Sequence, residues 1–479
     1  MLIANEFEHG LNSGSNIKRR FSKEANIQYT HDSADDLVQN TEILSEIIKH
    51  HAEHQRPRLD ILDDYYKGDN TTISELKRRK EDDKADHRAK HNYAKYVSNF
   101  MQGFLVGVPI AVNHKDESAQ EKLDQINEVI EAAALNADLI LDLSIYGRAY
   151  ELLHRNQQDQ TQVYVSSPLE TFLIYDETIE QNIIAGVRYF QVNRNRKNAF
   201  KVELYTKDKV YHYITTNFGD YELQFDKEEN HPFGDVPINE HSNNRFRQGD
   251  FENILDLIDL YDAAQSDTAN YMTDLNDAML KIIGDLDLES EEAKKMKDAN
   301  ILYLKTSQNV NGESGRAEAD YIYKQYDVSG SEAYKGRVQT DIHKFTFTPD
   351  LNDENFSGVQ SGEAMKYKLF GLEQIRINKE RLFKRSLNRR YKLINNVMAL
   401  AQEAREGEFE GLTFKFTPNL PKSTKEAVDM FNSLGGQLSE KTKLKTIPMI
   451  VEKPEEELEQ LREERKETRP GQYMDMPPN

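Results

Sequence analysis

His50, His51 and His54 form the densest run of metal-ligating side chains in the sequence, and on a helix His50 and His54 would share one face. The segment around them is polar and offers no third ligand, so no metal site is predicted. Ser74 and Lys77 have the Ser-x-x-Lys spacing of acyl-transferring enzymes, but the Ser-Asp-Asn and Lys-Thr-Gly companions are missing. Asp285, Asp287 and Glu289 alternate like a calcium loop without its central glycine or closing glutamate. Neither Gly-x-x-x-x-Gly-Lys-Ser/Thr nor Gly-x-Gly-x-x-Gly occurs, so no nucleotide cradle and no ATP-driven motor is predicted. The lack of cysteine removes disulfides, thiolate zinc sites and cysteine nucleophiles together. These residue types predict neither an enzyme nor a cofactor.

Charge is what remains. There are 83 acidic and 62 basic residues, for a net charge of −21. A general DNA-binding protein would show a basic footprint. An acidic wall suits a surface that DNA slides past, and equally one that only has to stay soluble. Asp256, Asp259, Asp267, Asp274 and Asp277 recur at steps that sum to whole helical turns, away from the apolar Phe251, Ile254, Ile258, Tyr261, Leu275 and Ile282. A solvated helix face and a channel lining both fit that stripe. The opposite sign gathers in residues 376–392, where Arg376, Lys379, Arg381, Lys384, Arg385, Arg389, Arg390 and Lys392 face only Glu380. That run fits carboxylates of an adjacent subunit, with Arg385, Arg389 and Arg390 as candidates; it also fits DNA phosphate or plain solvation.

The elements that would position these groups follow from periodicity. A chain of 479 residues exceeds the roughly 250–300 at which single cores stop growing, so several modules are expected. No stretch approaches eighteen apolar residues and the first residues lack a signal-peptide pattern, which predicts neither secretion nor membrane insertion. Residues 1–33 have no period and read as a flexible arm. Helical patterns cover 34–54, 56–67, 93–105 and 118–146. From 148 to 225 the period becomes two, giving strands at 149–154, 162–166, 171–175, 185–192, 200–206, 210–214 and 221–225, an antiparallel meander. A helix over 250–283 ends at Gly284. A small α/β insert follows, with a helix at 289–297 and strands at 301–306 and 321–327, and then a helix over 332–345. The fold class is α+β.

Pro349 stops that helix, and Asp350, Asn352, Asp353, Glu354, Asn355, Gly358 and Gly362 compete with regular backbone bonding, so 348–360 reads as an acidic loop. From Ser361 to Arg405 apolar residues recur at helical steps, a span of roughly 60 Å. Residues 412–417 alternate as a strand, and 424–434 and 454–469 close the chain as helices.

Pro349-Asp350-Leu351-x-Asp353-Glu354-Asn355-Phe356 with Ser361-Gly362-Glu363-Ala364-Met365-Lys366-Tyr367-Lys368-Leu369 resembles the portal proteins of tailed bacteriophages, in the branch typical of siphophages of Gram-positive hosts. His91-Asn92-Tyr93-Ala94-Lys95-Tyr96-Val97 with Gly103–Ile110 is similar to the same family, as is Val236-Pro237-Ile238, Asn243-Asn244 and Gly249-Asp250-Phe251-Glu252 leading to Leu257-Ile258-Asp259 and Ser266-Asp267. The matches fall in the family's order over about residues 60–420.

The resemblance implies a ring of identical subunits, usually twelve, at one capsid vertex, with a channel for double-stranded DNA. It implies a wing (34–248 with 361–421), a stem (249–283 and 330–347), a clip (284–329), a tunnel loop (348–360), a crown (422–466) and a tail (467–479). The clip would dock the terminase large subunit and later the head-completion or connector protein, and the ring would meet major capsid and scaffolding proteins. Asp350, Asn352, Asp353, Glu354, Asn355 and Phe356 would form the tunnel loop, with Phe356 its anchor or a wedge against DNA. Asp267, Asp274 and Asp277 would line the channel. The rival readings are a minor head or scaffold-associated protein that forms no ring, and a nucleic-acid-processing enzyme.

Overall fold

The computed structural model describes residues 20–75, 85–194, 197–215, 222–274, 279–284, 295–296, 301–305, 318–322, 327–351, 369–419, 432–433, 438–444, 451 and 454–467. Residues 20–33 are built into the fold rather than loose: a 3-10 turn (Lys23–Asn26) buries Ala25, and β1 (Tyr29–Thr30) adds in parallel to the strand Thr171–Tyr175 with Tyr29 buried. The helix expected over 34–54 is broken. Asn40 leaves helical geometry between α1 (Ala34–Gln39) and α2 (Thr41–His50), and a π turn (His51–Gln55) joins α2 to α3 (Arg56–Lys67). Pro57, in the first turn of α3, has no N–H for the carbonyl four residues back, and the ladder lengthens so that Arg56 N donates to His51 O. The turn brings His51 and Gln55 inward, where both are buried.

After α4 (Thr71–Glu75) comes α5 (Tyr93–Val106), whose Asn92 cap accepts from Lys95 N at 3.0 Å. Strand β2 (Ala111–Asn113) precedes α6 (Glu117–Val129) and α7 (Ala132–Tyr146). These two were expected as one helix, but Glu131 takes a left-handed φ of 49° between them.

The strands β3 (Arg148–Arg155), β4 (Thr161–Ser166), β5 (Thr171–Tyr175), β6 (Ile183–Arg194), β7 (Lys197–Tyr205), β8 (Lys209–Thr215) and β9 (Gln224–Asn230) match the expected meander with small shifts. They divide between two sheets. One runs β1-β5-β6-β7-β8-β9; the other is β3 between β4 and an unexpected β10 (Ile238–Ser242).

The 250–283 helix is corrected. A 3-10 turn (Glu252–Ile254) leads into α8 (Leu255–Asp274), and residues 279–284 are instead β11 (Met279–Gly284), parallel to β12 (Ile301–Lys305) and antiparallel to β13 (Glu318–Ile322). Helix α9 (Val328–Thr346) is capped by Asp327, and α10 (Phe370–Leu400) spans 31 residues and ends before the expected Arg405; residues 361–368 of the expected helix lie outside the described residues. Strand β14 (Thr413–Lys415) pairs with β2. The expected helix 289–297 lies outside the described residues but for 295–296.

Two units emerge, residues 1–350 with 371–418, and 351–370 with 419–479. Within the first, Phe383, Leu387, Tyr391 and Ile394 of α10 pack with Leu135, Leu139 and Leu143 of α7 and with Phe414 and Phe416. A second core joins Phe251, Ile254 and Ile258 to Val338 and Ile342 of α9, and a third lies between α2 and the larger sheet. Within the second unit, α11 (Glu440–Leu444) and α12 (Pro454–Glu467) share Leu444, Val451, Leu458 and Leu461. No described helix is long and apolar enough to cross a membrane.

Candidate functional site

Residues just upstream of α5, far from α8 in sequence, meet that helix. Residues 87–91 run without regular structure along that helix, and every second amide donates to a side chain of it. His87 N reaches Asn270 Oδ1 at 2.7 Å, Ala89 N reaches Ser266 Oγ at 2.9 Å and His91 N reaches Asp262 Oδ1 at 2.9 Å. Four helical residues rise about 6 Å and two extended residues about 6.6 Å, so the two periods stay in step over three bonds. Asp262 also accepts from the Asn70 amide at 2.8 Å. All three acceptors are buried. Asn270, which shares the spacing of the aspartate stripe, therefore faces inward.

A second node gathers on Asp250. Gly147 has a φ of 78°, which lets the chain turn from α7 into β3, and a Cβ on Gly249 would lie 2.4 Å from the Ile145 carbonyl oxygen. This close approach lets Asp250 N donate to Ser144 O at 2.8 Å. The Asp250 carboxylate then accepts from Ser144 Oγ at 2.6 Å, from the Asn243 amide at 3.0 Å and from the buried Lys379 ammonium. Burial pushes the Lys379 ammonium down, and Asp250 opposes it. Beside this node, Arg58 and Glu252 make a buried ion pair.

Most of the basic run has partners within the chain, among them two of the three candidates for subunit contacts. Arg390 is fully buried: Nε donates to Glu151 Oε2 at 2.8 Å and Nη1 to Asn136 Oδ1 at 2.8 Å. Burial alone would raise the Glu151 carboxyl, but Arg390 and His241 hold it well below the usual carboxylate range. Arg389 donates to the Val236 and Ile238 carbonyls, both at 2.8 Å, and lies 3.4 Å from Asp235. Arg376 pairs with Glu373 and Glu380, and Lys384 with Glu380. Only Arg381, Arg385 and Lys392 of the run are exposed.

The upstream base of the acidic loop is anchored by residues that no spacing pattern marked. Tyr96 Oη donates to the Pro349 carbonyl at 2.7 Å, and His343 Nδ1 lies 3.1 Å from the Thr348 carbonyl. Asp350 accepts from the Gln339 amide at 3.3 Å and lies 3.8 Å from His343 Nε2. Asn352, Asp353, Glu354, Asn355 and Phe356 lie outside the described residues, as do Asp277, Asp285, Asp287, Glu289 and Lys77.

Of the stripe, Asp267 is exposed and Asp274 closes α8. Asp256 and Asp259 are not simply solvated, because the Arg20 guanidinium holds both and Tyr65 Oη donates to Asp259. His51 is buried, with Nδ1 2.7 Å from Tyr189 Oη. The signal that would have revealed the anchoring residues is polar side chains four apart on α8, at Asp262, Ser266 and Asn270.

A family profile described as phage portal protein, SPP1 Gp6-like, matches residues 45–471. A protein named portal protein from Bacillus phage SPP1 is 24% identical over 418 residues, covering 83% of this chain and 79% of that protein. Another of the same name, from Clostridium phage phiCD119, is 23% identical over 393 residues, covering 78% and 84%. A solved structure titled neck of empty GTA particle computed with C6 symmetry is 12% identical and covers 73% of this chain and 87% of that one, with a TM-score of 0.37.

Proposed function

We infer a DNA conduit from a fact just established: the chain belongs to the SPP1 Gp6-like family of phage portal proteins. In this reading copies of the chain, twelve by the family's habit, close into a ring at one capsid vertex, assembled in the host cytoplasm and retained in the virion. Double-stranded DNA passes through the ring during packaging and ejection. The match over residues 45–471 is the observation that carries the reading, since it covers most of the chain.

The chemistry agrees with passage rather than grip. The net charge of −21 makes a wall that repels phosphate, and Asp267 is exposed on the stem helix. Asp274 and Asp277 continue that channel-facing row. The tunnel loop, residues 348–360, narrows the channel from a fixed base at Tyr96, Gln339 and His343, and Asp350, Asp353 and Glu354 keep its contact with DNA weak. The clip, residues 284–329, receives the terminase large subunit and then the head-completion protein; the outer body meets major capsid and scaffolding proteins. Of the three candidates, Arg385, exposed on α10, is the one left to meet a neighbouring subunit.

Negative-stain microscopy of the purified chain tests the ring directly. Annular particles are expected, and a preparation of monomers or small oligomers under assembly conditions would overturn it. Nuclease and ATPase assays on the same sample should show neither activity.

A further inference from the structure

We propose that Glu24, His50 and His54 form a binding site for a divalent transition metal of the zinc, cobalt or nickel type, tying the N-terminal segment to the wing. The sequence offered two histidines without a third ligand. The fold supplies it, because the 3-10 turn Lys23–Asn26 brings Glu24 over the end of α2. Glu24 Oε2 lies 4.0 Å from His50 Nε2 and 3.6 Å from His54 Nδ1, and the three ligand atoms all lie within 4.8 Å of one another. Tetrahedral bonds of 2.0–2.1 Å need ligand atoms about 3.3 Å apart. Glu24 and His54 are both exposed enough to close gaps that run from a few tenths of an ångström to at most about 1.5 Å.

Two further observations favour a metal over a plain ion pair. The π turn His51–Gln55 begins between the two histidines and sets their rings 4.6 Å apart, centroid to centroid. Tyr29 Oη lies 3.1 Å from His50 Nδ1, so that nitrogen is engaged and Nε2 is turned toward Glu24. This is the orienting partner that metal-bound imidazoles carry on their far nitrogen. Two imidazoles and one carboxylate, with open positions toward solvent, suit zinc, cobalt or nickel better than magnesium or calcium, which prefer oxygen alone.

The test is a titration of the full-length chain, purified without a polyhistidine tag, with Co2+ by visible absorption and with Zn2+ by calorimetry. One ion per chain is expected. Glu24→Gln, His50→Gln and His54→Gln should each weaken binding roughly tenfold or more, while His154→Gln, at an exposed position, leaves it unchanged. Glu24 is half exposed, so its variant keeps the fold and the test stands even if a histidine variant does not. Absence of saturable binding overturns the site, and so does binding that Glu24→Gln leaves unaltered.

Discussion

Replacing Arg390 with Met separates two readings of the basic run. If Arg390 met a neighbouring subunit, the variant would fold and fail to assemble. Its actual partner is Glu151 of the same chain; both side chains are fully buried, 239 residues apart in sequence. At an effective dielectric near 20, two unit charges about 4 Å apart attract by about 4 kcal/mol. Removing one of them leaves a buried carboxylate with only Asn239 as a hydrogen-bond donor at 2.7 Å, and His241 3.3 Å away. Breaking buried pairs typically costs about 3–5 kcal/mol, much of it the cost of the orphaned charge. Arg390→Met should therefore lower subunit stability by about that amount in guanidinium unfolding, and the double variant Arg390→Met with Glu151→Met should recover most of it. Unchanged subunit stability together with lost rings would refute the argument and return Arg390 to an interface.

Gly249→Ala places a Cβ 2.4 Å from one backbone oxygen and 2.8 Å from another, so the denaturation midpoint should fall by the equivalent of about 1–3 kcal/mol or more. Burial, aided by Asp138 and Asp63, pushes the Asp142 carboxyl up to about 7 from 3.8. The folded chain then binds more protons than the unfolded one between those values, and stability falls as pH rises through them. Asp142→Asn should match the parent near pH 4 and exceed it near pH 8 in thermal melts. Asp267→Lys should leave folding intact, since an exposed charge contributes little, and should slow DNA packaging most at low salt. Equal packaging rates at every salt concentration would make Asp267 a solvated residue only.

Periodicity found where helices and strands lie but ran the long helices past their breaks, and it failed where tertiary partners decide. The apolar run from Met279 to Ile283 follows a helix and precedes Gly284, so it reads as a helical end; pairing with Ile301–Lys305 and Glu318–Ile322 makes it a central strand. Strand β10 was hidden because its Asn239 and His241 are polar yet buried, satisfied by or set beside Glu151 rather than by water. The same distance in sequence hid the meaning of the basic run. Lys379 finds Asp250 at a separation of 129 residues, and no local pattern encodes such a pair. The acidic loop was legible as a loop from Pro349 and its Asp/Asn content, but its anchors Tyr96 and His343 look like ordinary helix residues. Glu24 was unreadable as a ligand because the arm around it shows no period at all.

The pairing of Thr413–Lys415 with Ala111–Asn113 has a consequence for how the chain is made. Residues 105–163 supply one half of the largest core, and Phe383 to Phe416 supply the other. At about 5–20 residues per second, the ribosome needs on the order of tens of seconds to deliver the second half after the first has emerged. For that interval Leu135, Leu139 and Leu143 lack the side chains that later cover them and remain open apolar surface. A chain that stops before about residue 416 leaves that core without its second half.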